Sequence, residues 1–182
     1  VSEYKNHFSF PVKKYYSLLG FNLSKNSFEF LSSSFINKYK KQMFLPALVV
    51  GIFPLLKLLF FKNSVDQFVV SAQEYSLLRA SIKHYKTEAF FNGVFGLNNN
   101  LANSKISLIK KHIYPIKHNY SKILFIGDTL HDLEVSKSIS ESSCCLVSWG
   151  HNSLERLVKS QPTAVVSSSI DLKRFINNFL YS

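Results

Sequence analysis

The sequence predicts an α/β protein built on a parallel sheet. Strand-like and helix-like segments alternate from residue 44 onward, which is the pattern of βαβ units. At the centre of this pattern, 122–132 reads KILFIGDTLHD, in which residues 123–126 form a continuous apolar run. Such a run is typical of a central strand that is covered on both faces. Gly127 lets the backbone turn sharply where this strand ends. We therefore expect Asp128 to lie at the carboxyl edge of the sheet, where open α/β sheets bind ligands.

Asp128 and Asp132 are the first candidate site. They lie one helical turn apart, and Thr129 between them is placed to cap the next helix, so both carboxylates can point into one crevice. Two hard oxygen ligands at a strand end suit Mg²⁺, which also takes waters and substrate phosphate. The alternative is a capped helix with two solvated acids, since the first turn of a helix favours Asp in any case.

The composition limits the possible partners. A hydrophobic content of 46% in 182 residues supports a proper core. The net charge of +11 is carried by scattered lysines without a polybasic run, which disfavours specific nucleic-acid binding. The adjacent Cys144 and Cys145 lie in an apolar strand and are interpreted as buried free thiols of a reducing cytoplasm. The first ten residues have no apolar core of a signal peptide, so we expect a cytoplasmic protein.

The first 43 residues are predicted to be helical. One apolar face has helical spacing, and Gly20 is a good helix stop before it; the face consists of Phe28, Leu31, Phe35 and Tyr39. The apolar stretch 43–61 raises the question of a membrane helix. Pro46, Gly51, Pro54 and Lys57 interrupt it, and its uninterrupted part is shorter than the roughly 20 residues that a span needs. A buried helix leading into the sheet is the interpretation we favour.

The remaining elements follow from apolar runs, turn residues and caps. The strand 67–71 runs into Ser71-Ala72-Gln73-Glu74, a capping-box pattern that predicts a helix to Tyr85. Pro115 is expected to end another helix. The other predicted elements are a short strand within 90–97, a polar turn at 98–100, helices at 103–114, 130–139, 154–158 and 170–180, strands at 144–148 and 164–167, and a turn at 149–152.

The order of these pieces resembles the haloacid dehalogenase-like (HAD) phosphohydrolases, and among them the phosphoglycolate phosphatase-like group. The similar stretches are FVVSAQEYSLL, YKTEAFFNGVFGLNNNLANSKISLIKK, ILFIGDTLHDLEVSKS and CCLVSWGHNSLERL, which cover most of 44–182. The resemblance implies a HAD-type, Rossmann-like parallel sheet in 44–182. It also implies that 1–43 is part of the small helical cap domain of such enzymes.

The resemblance also implies roles for individual residues. Ser71, with the neighbouring Ala72, matches the second family motif and would bind the transferring phosphoryl group; alternatively Ser71 only caps its helix. Lys105 matches the third motif and would neutralise the phosphoryl group and the attacking carboxylate; alternatively it is a solvated helical lysine. Asp128 and Asp132 match the fourth motif and would hold Mg²⁺. Residues at the same mouth or at positions typical of the subgroup, without a firm role, are Asn92, Thr129, His131, Trp149 and Gly150.

The first family motif, DxD at the end of the first strand, is not found. The only aspartates are Asp66, Asp128, Asp132 and Asp171, and no two of them are two residues apart. The motif, with its nucleophile and its general acid/base, would lie upstream of Val1, so we expect a fragment. In the family the missing strand is the middle one. Its loss predicts two half-sheets with unpaired edges, and therefore a chain that by itself is marginally stable or insoluble and has no turnover.

Other classes of function stay open or are excluded. The main alternative is a non-catalytic HAD-like domain that binds a phosphorylated ligand or a protein partner. A basic nucleic-acid-binding protein is a further alternative, for which we expect only weak, nonspecific binding. The chain has no GxSxG nucleophile elbow and no glycine-rich dinucleotide fingerprint. We expect a small phosphorylated metabolite as the ligand and no membrane partner; the oligomeric state is left open.

Overall fold

The chain is a parallel α/β protein, as the sequence predicts. A computed structural model describes residues 2–98 and 105–182. These residues fall into two compact units, one drawn from Val1–Phe10 with Ile109–Ser182 and the other from Pro11–Leu108. Each unit is described by itself. The predicted division into a cap over 1–43 and a core over 44–182 stays a prediction.

The first unit is built on a three-stranded parallel sheet. Its strands are β3 (Ile123–Gly127), β4 (Ser142–Val147) and β5 (Ala164–Val166), in the order β3-β4-β5. The register aligns Ile123 with Ser142 and Gly127 with Leu146. Since the strands are parallel, their carboxyl ends share one edge, and the loops that leave this edge lead into helices. The helices of the unit are α1 (Ser2–His7), α7 (Leu130–Lys137), α8 (Leu154–Lys159) and α9 (Ser169–Tyr181).

The core of this unit lies between the sheet and its helices. Leu133 of α7 and Leu157 of α8 pack with Cys144 and Leu146 of β4. Both cysteines are free and buried, as the sequence predicts. Burial raises the pKa of the Cys144 thiol to about 11 and that of the Cys145 thiol to about 12. The thiols therefore act as small apolar core groups at neutral pH.

The second unit contains a two-stranded parallel sheet and the remaining helices. Strand β1 (Phe68–Glu74) pairs with β2 (Gly93–Leu97) from Phe68–Gly93 to Val70–Phe95, after which the register shifts. The pair is held at its start by Asn92, whose side chain accepts a hydrogen bond from Gln67 N and donates one to Asp66. The helices are α2 (Val12–Leu18), α3 (Lys25–Gln42), α4 (Ile52–Phe60), α5 (Tyr75–His84) and α6 (Ile106–Leu108), with a 3₁₀ turn at Glu88–Phe90.

Strand β3 differs from the expectation of a central strand covered on both faces. Among the described strands its neighbour is β4 alone, and Ile126 is 46% exposed. The apolar run therefore has one unpaired edge. Two separate parallel sheets are what the resemblance implies for a HAD-type sheet without its central strand.

The predicted capping box at Ser71 is wrong. Ser71 lies inside β1, and α5 begins only at Tyr75 with Glu74 as its N-cap. The Glu74 carboxylate accepts hydrogen bonds from the backbone N–H groups of Ser76 and Leu77, so it satisfies the first donors of the helix. Hydrogen bonds from Ser76 hold the Glu74 pKa below its usual value. The apolar strand extends three residues further than predicted because β2 still pairs with Glu74 across the register shift.

The helix predicted at 103–114 is only partly α-helical. Within the described residues the chain forms α6, then a π-helical turn at Ile109–Ile113 and a 3₁₀ helix at Tyr114–Asn119. Pro115 does not end the helical segment, because it lies at the start of the 3₁₀ helix, where its missing N–H costs nothing. Residues 99–104, including part of the polar turn predicted at 98–100, lie outside the described residues.

The N-terminal helices and the apolar stretch 43–61 agree in part with the predictions. Helices α1 to α3 confirm the helical character of the first 43 residues, but Phe35 of the expected apolar face is 57% exposed. In 43–61 only α4 is helical; it begins after Gly51, which has a φ of 87°, and it buries Leu55 and Leu59.

Over 2–98 and 105–182, the structure contains no helix long and apolar enough to cross a membrane.

Candidate functional site

The turn from β3 to α7 brings Asp128 and Asp132 to the same end of the sheet. Thr129 is the N-cap of α7, and its hydroxyl oxygen accepts a hydrogen bond from Asp132 N. In return Asp132 Oδ2 accepts three hydrogen bonds, from the N–H groups of Asp128 and Thr129 at 3.0 Å each and from Thr129 Oγ1 at 2.7 Å. Asp132 is 7% exposed, and these hydrogen bonds fix its carboxylate against the turn that carries Asp128. The predicted cap at Thr129 is confirmed.

Asp128 is held by a second turn, the one that follows β4. The N–H of His151 donates to Asp128 Oδ2 at 2.6 Å, and the N–H of Asn152 donates to the Asp128 carbonyl oxygen at 3.2 Å. The chain thus binds both the side chain and the main chain of Asp128 from the neighbouring strand end. Adjacent strands of a parallel sheet commonly build a site in this way.

Two glycines leave the space that the two acids occupy. A Cβ on Gly127 would collide with the side chain of Asp132, and a Cβ on Gly150 would collide with the Asp128 carboxylate. Neither glycine has a positive φ, so the requirement is for space and not for an unusual backbone conformation. The sheet edge is therefore shaped to hold both carboxylates close to the backbone.

The N-terminal segment of the first unit packs against these turns. Asn152 Nδ2 donates to the Phe8 carbonyl oxygen at 3.1 Å, and Arg156 Nη1 donates to the same oxygen at 2.9 Å. The His151 ring stacks on Phe8 with 4.8 Å between ring centroids, and its Nδ1 is 2.7 Å from the hydroxyl of Tyr4. These contacts fix the loop that donates to Asp128.

His131 lies beside the two acids. It is 7% exposed, its Nδ1 is 3.0 Å from Glu134 Oε2, and its ring lies 5.2 Å from that of Phe10. The Glu134 carboxylate is largely exposed. The sequence placed His131 at this mouth without a firm role, and the structure shows a packed and hydrogen-bonded side chain.

The donor set at this edge fits a magnesium ion. Mg²⁺ is commonly held by one or two carboxylates together with waters and substrate phosphate. Asp128 and Asp132 supply two carboxylates at one strand end, in space that glycines keep open. The described residues contain no group of three or more His, Cys, Asp or Glu side chains able to hold a metal by themselves. An ion at this site would therefore depend on oxygen donors besides these two acids.

The other predicted site residues belong to the second unit. Ser71 and Ala72 lie in β1 within the register shift between Val70 and Glu74; Ala72 is buried, and Ser71 Oγ accepts a hydrogen bond from Gln73 N at 3.1 Å. Lys105 is half-buried and directly precedes α6, which contacts β2. The structure brings Asp128 and Asp132 together. The roles of Ser71, Ala72 and Lys105 stay predictions.

Sequence reasoning missed the part that the turn after β4 plays. The sequence indicates Gly150 only as a position typical of the subgroup, and it does not connect His151 and Asn152 to Asp128. The sequence signal was present, since Trp149-Gly150-His151-Asn152 follows an apolar strand directly, as Asp128 does. What could not be read from the sequence is that two backbone N–H groups of this turn point at Asp128.

The comparisons agree with this architecture. The family model described as haloacid dehalogenase-like hydrolase matches residues 1–144. A haloacid dehalogenase-like hydrolase from Streptococcus pneumoniae is similar in structure, with a TM-score of 0.73 and 19% identity over 91% of this chain and 76% of that chain. A predicted phosphoglycolate phosphatase from Haemophilus somnus has a TM-score of 0.69 and 14% identity over 95% of this chain and 79% of that chain.

Not every similar structure carries a phosphatase name. Protein Tyrosine Kinase A of Mycobacterium tuberculosis has a TM-score of 0.69 and 17% identity over 96% of this chain and 80% of that chain. Some relatives are considerably longer: the chain spans 59% of a predicted phosphatase from Clostridium acetobutylicum. No curated protein matches the chain. At such identities the solved structures establish the fold and no activity. The family model, which matches most of the sequence, establishes that the chain belongs to the haloacid dehalogenase-like hydrolase family.

Proposed function

We propose that the chain is the core and partial cap of a phosphatase, similar to phosphoglycolate phosphatases, that hydrolyses a small phosphate monoester with the help of Mg²⁺. The observation that carries the proposal is the pair Asp128 and Asp132, held side by side at the carboxyl end of β3 in a HAD hydrolase. The cap would comprise 1–43 and the core 44–182. The two buried free thiols support a reducing, cytoplasmic setting.

Asp128 and Asp132 would hold the metal ion. When bound, Mg²⁺ would supply positive charge close to the phosphoryl oxygens, where negative charge must be neutralised during phosphoryl transfer. The chain's own contribution is to place the two carboxylates. The cap of α7 orients Asp132, and the turn after β4 orients Asp128. Both carboxylates are thus oriented by hydrogen bonds of the protein itself.

Ser71, Ala72 and Lys105 would bind the phosphoryl group itself. Ser71 Oγ accepts a hydrogen bond from Gln73 N, so the hydroxyl is oriented and its proton can be donated to a phosphoryl oxygen. Ala72 would contribute its backbone at the same place. The ammonium group of Lys105 is a compact positive charge, and it would neutralise negative charge on the phosphoryl group. All three proposals rest on the motif order that the resemblance provides.

The nucleophile would come from residues outside this sequence. None of the four aspartates has the DxD spacing of the family, in which the first Asp attacks phosphorus and the second acts as general acid/base. The same observation favours one alternative, a non-catalytic HAD-like domain that binds a phosphorylated ligand or a protein partner. The two candidates share the metal site and differ in turnover.

The test is hydrolysis of p-nitrophenyl phosphate and a panel of small phosphate monoesters by the protein as its gene encodes it, with Mg²⁺ and with EDTA. We expect turnover that requires Mg²⁺ and that Asp132→Asn removes. Asp171→Asn is the matched control, because Asp171 also follows an N-cap, Ser168, by three residues, with a serine at position 167 where the other site has Asp128. Mg²⁺ binding without turnover would favour the non-catalytic alternative, and the absence of both would refute the proposal.

A further inference from the structure

Asn152 is an unusually buried polar side chain. It is 1% exposed and begins the segment that leads into α8. Buried amides are retained where both their donor and their acceptor are used. Here Oδ1 accepts from Leu130 N at 2.9 Å, and Nδ2 donates to the Phe8 carbonyl oxygen at 3.1 Å. The side chain is therefore satisfied on both sides by the backbone of other segments.

The bonds of Asn152 enclose the turn that carries Asp128. Leu130 N is the first N–H of α7, one of the donors that have no partner within the helix. The backbone N–H of Asn152 donates to the Asp128 carbonyl oxygen at 3.2 Å. Asn152 thus binds the turn at two positions, at Asp128 through its backbone and at Leu130 through its side chain. An apolar side chain of the same volume would fill the space but could not accept the hydrogen bond from Leu130 N, while the backbone bond to Asp128 would remain.

We propose that Asn152 is a positioning residue for the metal site, acting through the turn that holds Asp128; this inference rests on the proposed function. By fixing both ends of the short segment from Asp128 to Leu130, Asn152 fixes the direction in which the Asp128 carboxylate leaves the backbone. Groups that orient ligands in this way without touching the metal commonly change metal affinity about 10- to 100-fold when they are removed.

The test compares Asn152→Ala with Ser136→Ala in the protein as its gene encodes it. Ser136 is a suitable control because it is also buried, at 3% exposure, and its Oγ donates to the Leu133 carbonyl oxygen within α7 without a bond to the Asp128 turn. Mg²⁺ binding is measured by titration calorimetry, and kcat and KM are measured with p-nitrophenyl phosphate at a temperature at which both variants are folded.

We expect Asn152→Ala to weaken Mg²⁺ binding about tenfold or more. Its kcat should fall at limiting Mg²⁺ and recover in part at high Mg²⁺, while Ser136→Ala binds Mg²⁺ as the wild type does. A purely structural role would lower the thermal midpoint of both variants and leave both Mg²⁺ affinities unchanged, which would overturn the inference. If the wild type itself binds no Mg²⁺, the proposed function fails, and the inference that rests on it fails too. Failure of the inference alone is recognised by a wild type that binds Mg²⁺ and an Asn152→Ala variant that binds it equally well.

A second measurement on the wild type covers the case in which Asn152→Ala does not fold. Because coupling is reciprocal, Mg²⁺ that favours the positioned turn must also stabilise the bond from Leu130 N to Asn152. We expect Mg²⁺ to slow hydrogen exchange of the Leu130 amide more than that of the Cys144 amide, which donates to Thr163 Oγ1 in the same unit. Equal slowing of both amides would show that Asn152 contributes only to general stability and would refute the positioning role.

Discussion

Gly150→Ala tests the idea that the sheet edge is shaped around Asp128. The added methyl group would collide with the Cβ, Cγ and Oδ2 atoms of Asp128. Gly150 has no positive φ, so alanine meets no backbone strain there. The collision can be relieved only if the Asp128 carboxylate rotates away or the turn after β4 moves, and either movement disturbs the 2.6 Å hydrogen bond from His151 N.

The magnitude follows from that hydrogen bond. A hydrogen bond to a charged group contributes about 1.5–3 kcal/mol, and about 1.4 kcal/mol corresponds to a factor of ten in an equilibrium constant. We therefore expect Gly150→Ala to weaken Mg²⁺ binding about 10- to 100-fold. If Gly150→Ala acted only on the unfolded chain, it would raise the free energy of unfolding, since alanine at an unstrained position stabilises a protein by about 0.4–1 kcal/mol. A lower thermal midpoint would therefore also indicate the collision.

The assay is Mg²⁺ titration calorimetry together with thermal unfolding, and Gly20→Ala is the control. Gly20 has a φ of +84° and nothing within 4 Å of an added Cβ, so alanine there costs about 1 kcal/mol of backbone strain without a collision. Gly20→Ala should lower the thermal midpoint and leave Mg²⁺ affinity unchanged. A Gly150→Ala protein that binds Mg²⁺ as tightly as the wild type would refute the view that Asp128 needs this space.

Two further predictions concern the cap of α5 and the buried thiols. Glu74→Ala should destabilise the protein by about 1 kcal/mol at neutral pH, whereas Ser71→Ala should cost less stability and lower turnover. Because hydrogen bonds from Ser76 lower the Glu74 pKa, the cap stabilises at pH values above the unfolded pKa, and the difference between Glu74→Ala and wild type should vanish as the pH falls through the folded pKa in urea titrations. Cys144 and Cys145, with pKa values of about 11 and about 12, should resist a thiol reagent at pH 8 in the native protein and react in urea.

Much of the fold could be predicted because apolar runs and turn residues agreed with each other. The strand at Ile123–Gly127 and the cap at Thr129 are both confirmed, since each depends on local chemistry. The start of α5 could not be predicted, because it depends on the pairing of two strands and not on local chemistry. Ser71 is a favoured N-cap residue, but the pairing of β1 with β2 continues the strand to Glu74, which caps α5 instead.

The site could be predicted from sequence only where its residues are close together in the chain. Asp128 directly precedes the N-cap Thr129, and Asp132 follows it by three residues, so their proximity follows from the local geometry of a helix cap. Gly150 and Asn152 are separated from Asp128 by more than twenty residues. Their contacts depend on the alignment of β3 with β4, which places Gly127 opposite Leu146 and thereby brings the two following turns together. The local sequence of either turn does not indicate how β3 and β4 are aligned, so these contacts could not be predicted.

The two interpretations of Asp132 that the sequence left open are parts of one arrangement. An acid three residues after Thr129 is expected in a helix cap, and the structure confirms that Asp132 Oδ2 accepts three hydrogen bonds there. The same bonds fix the carboxylate beside Asp128, which is what a metal ligand requires. Asp171 occupies the equivalent cap position in α9 behind Ser168, without an acid four residues earlier. A capped helix therefore accounts for Asp171 completely, whereas at Asp132 the cap orients a carboxylate toward the place where a second acid leaves the sheet. The difference between the two helices is the reason to propose the metal site at α7 and not at α9.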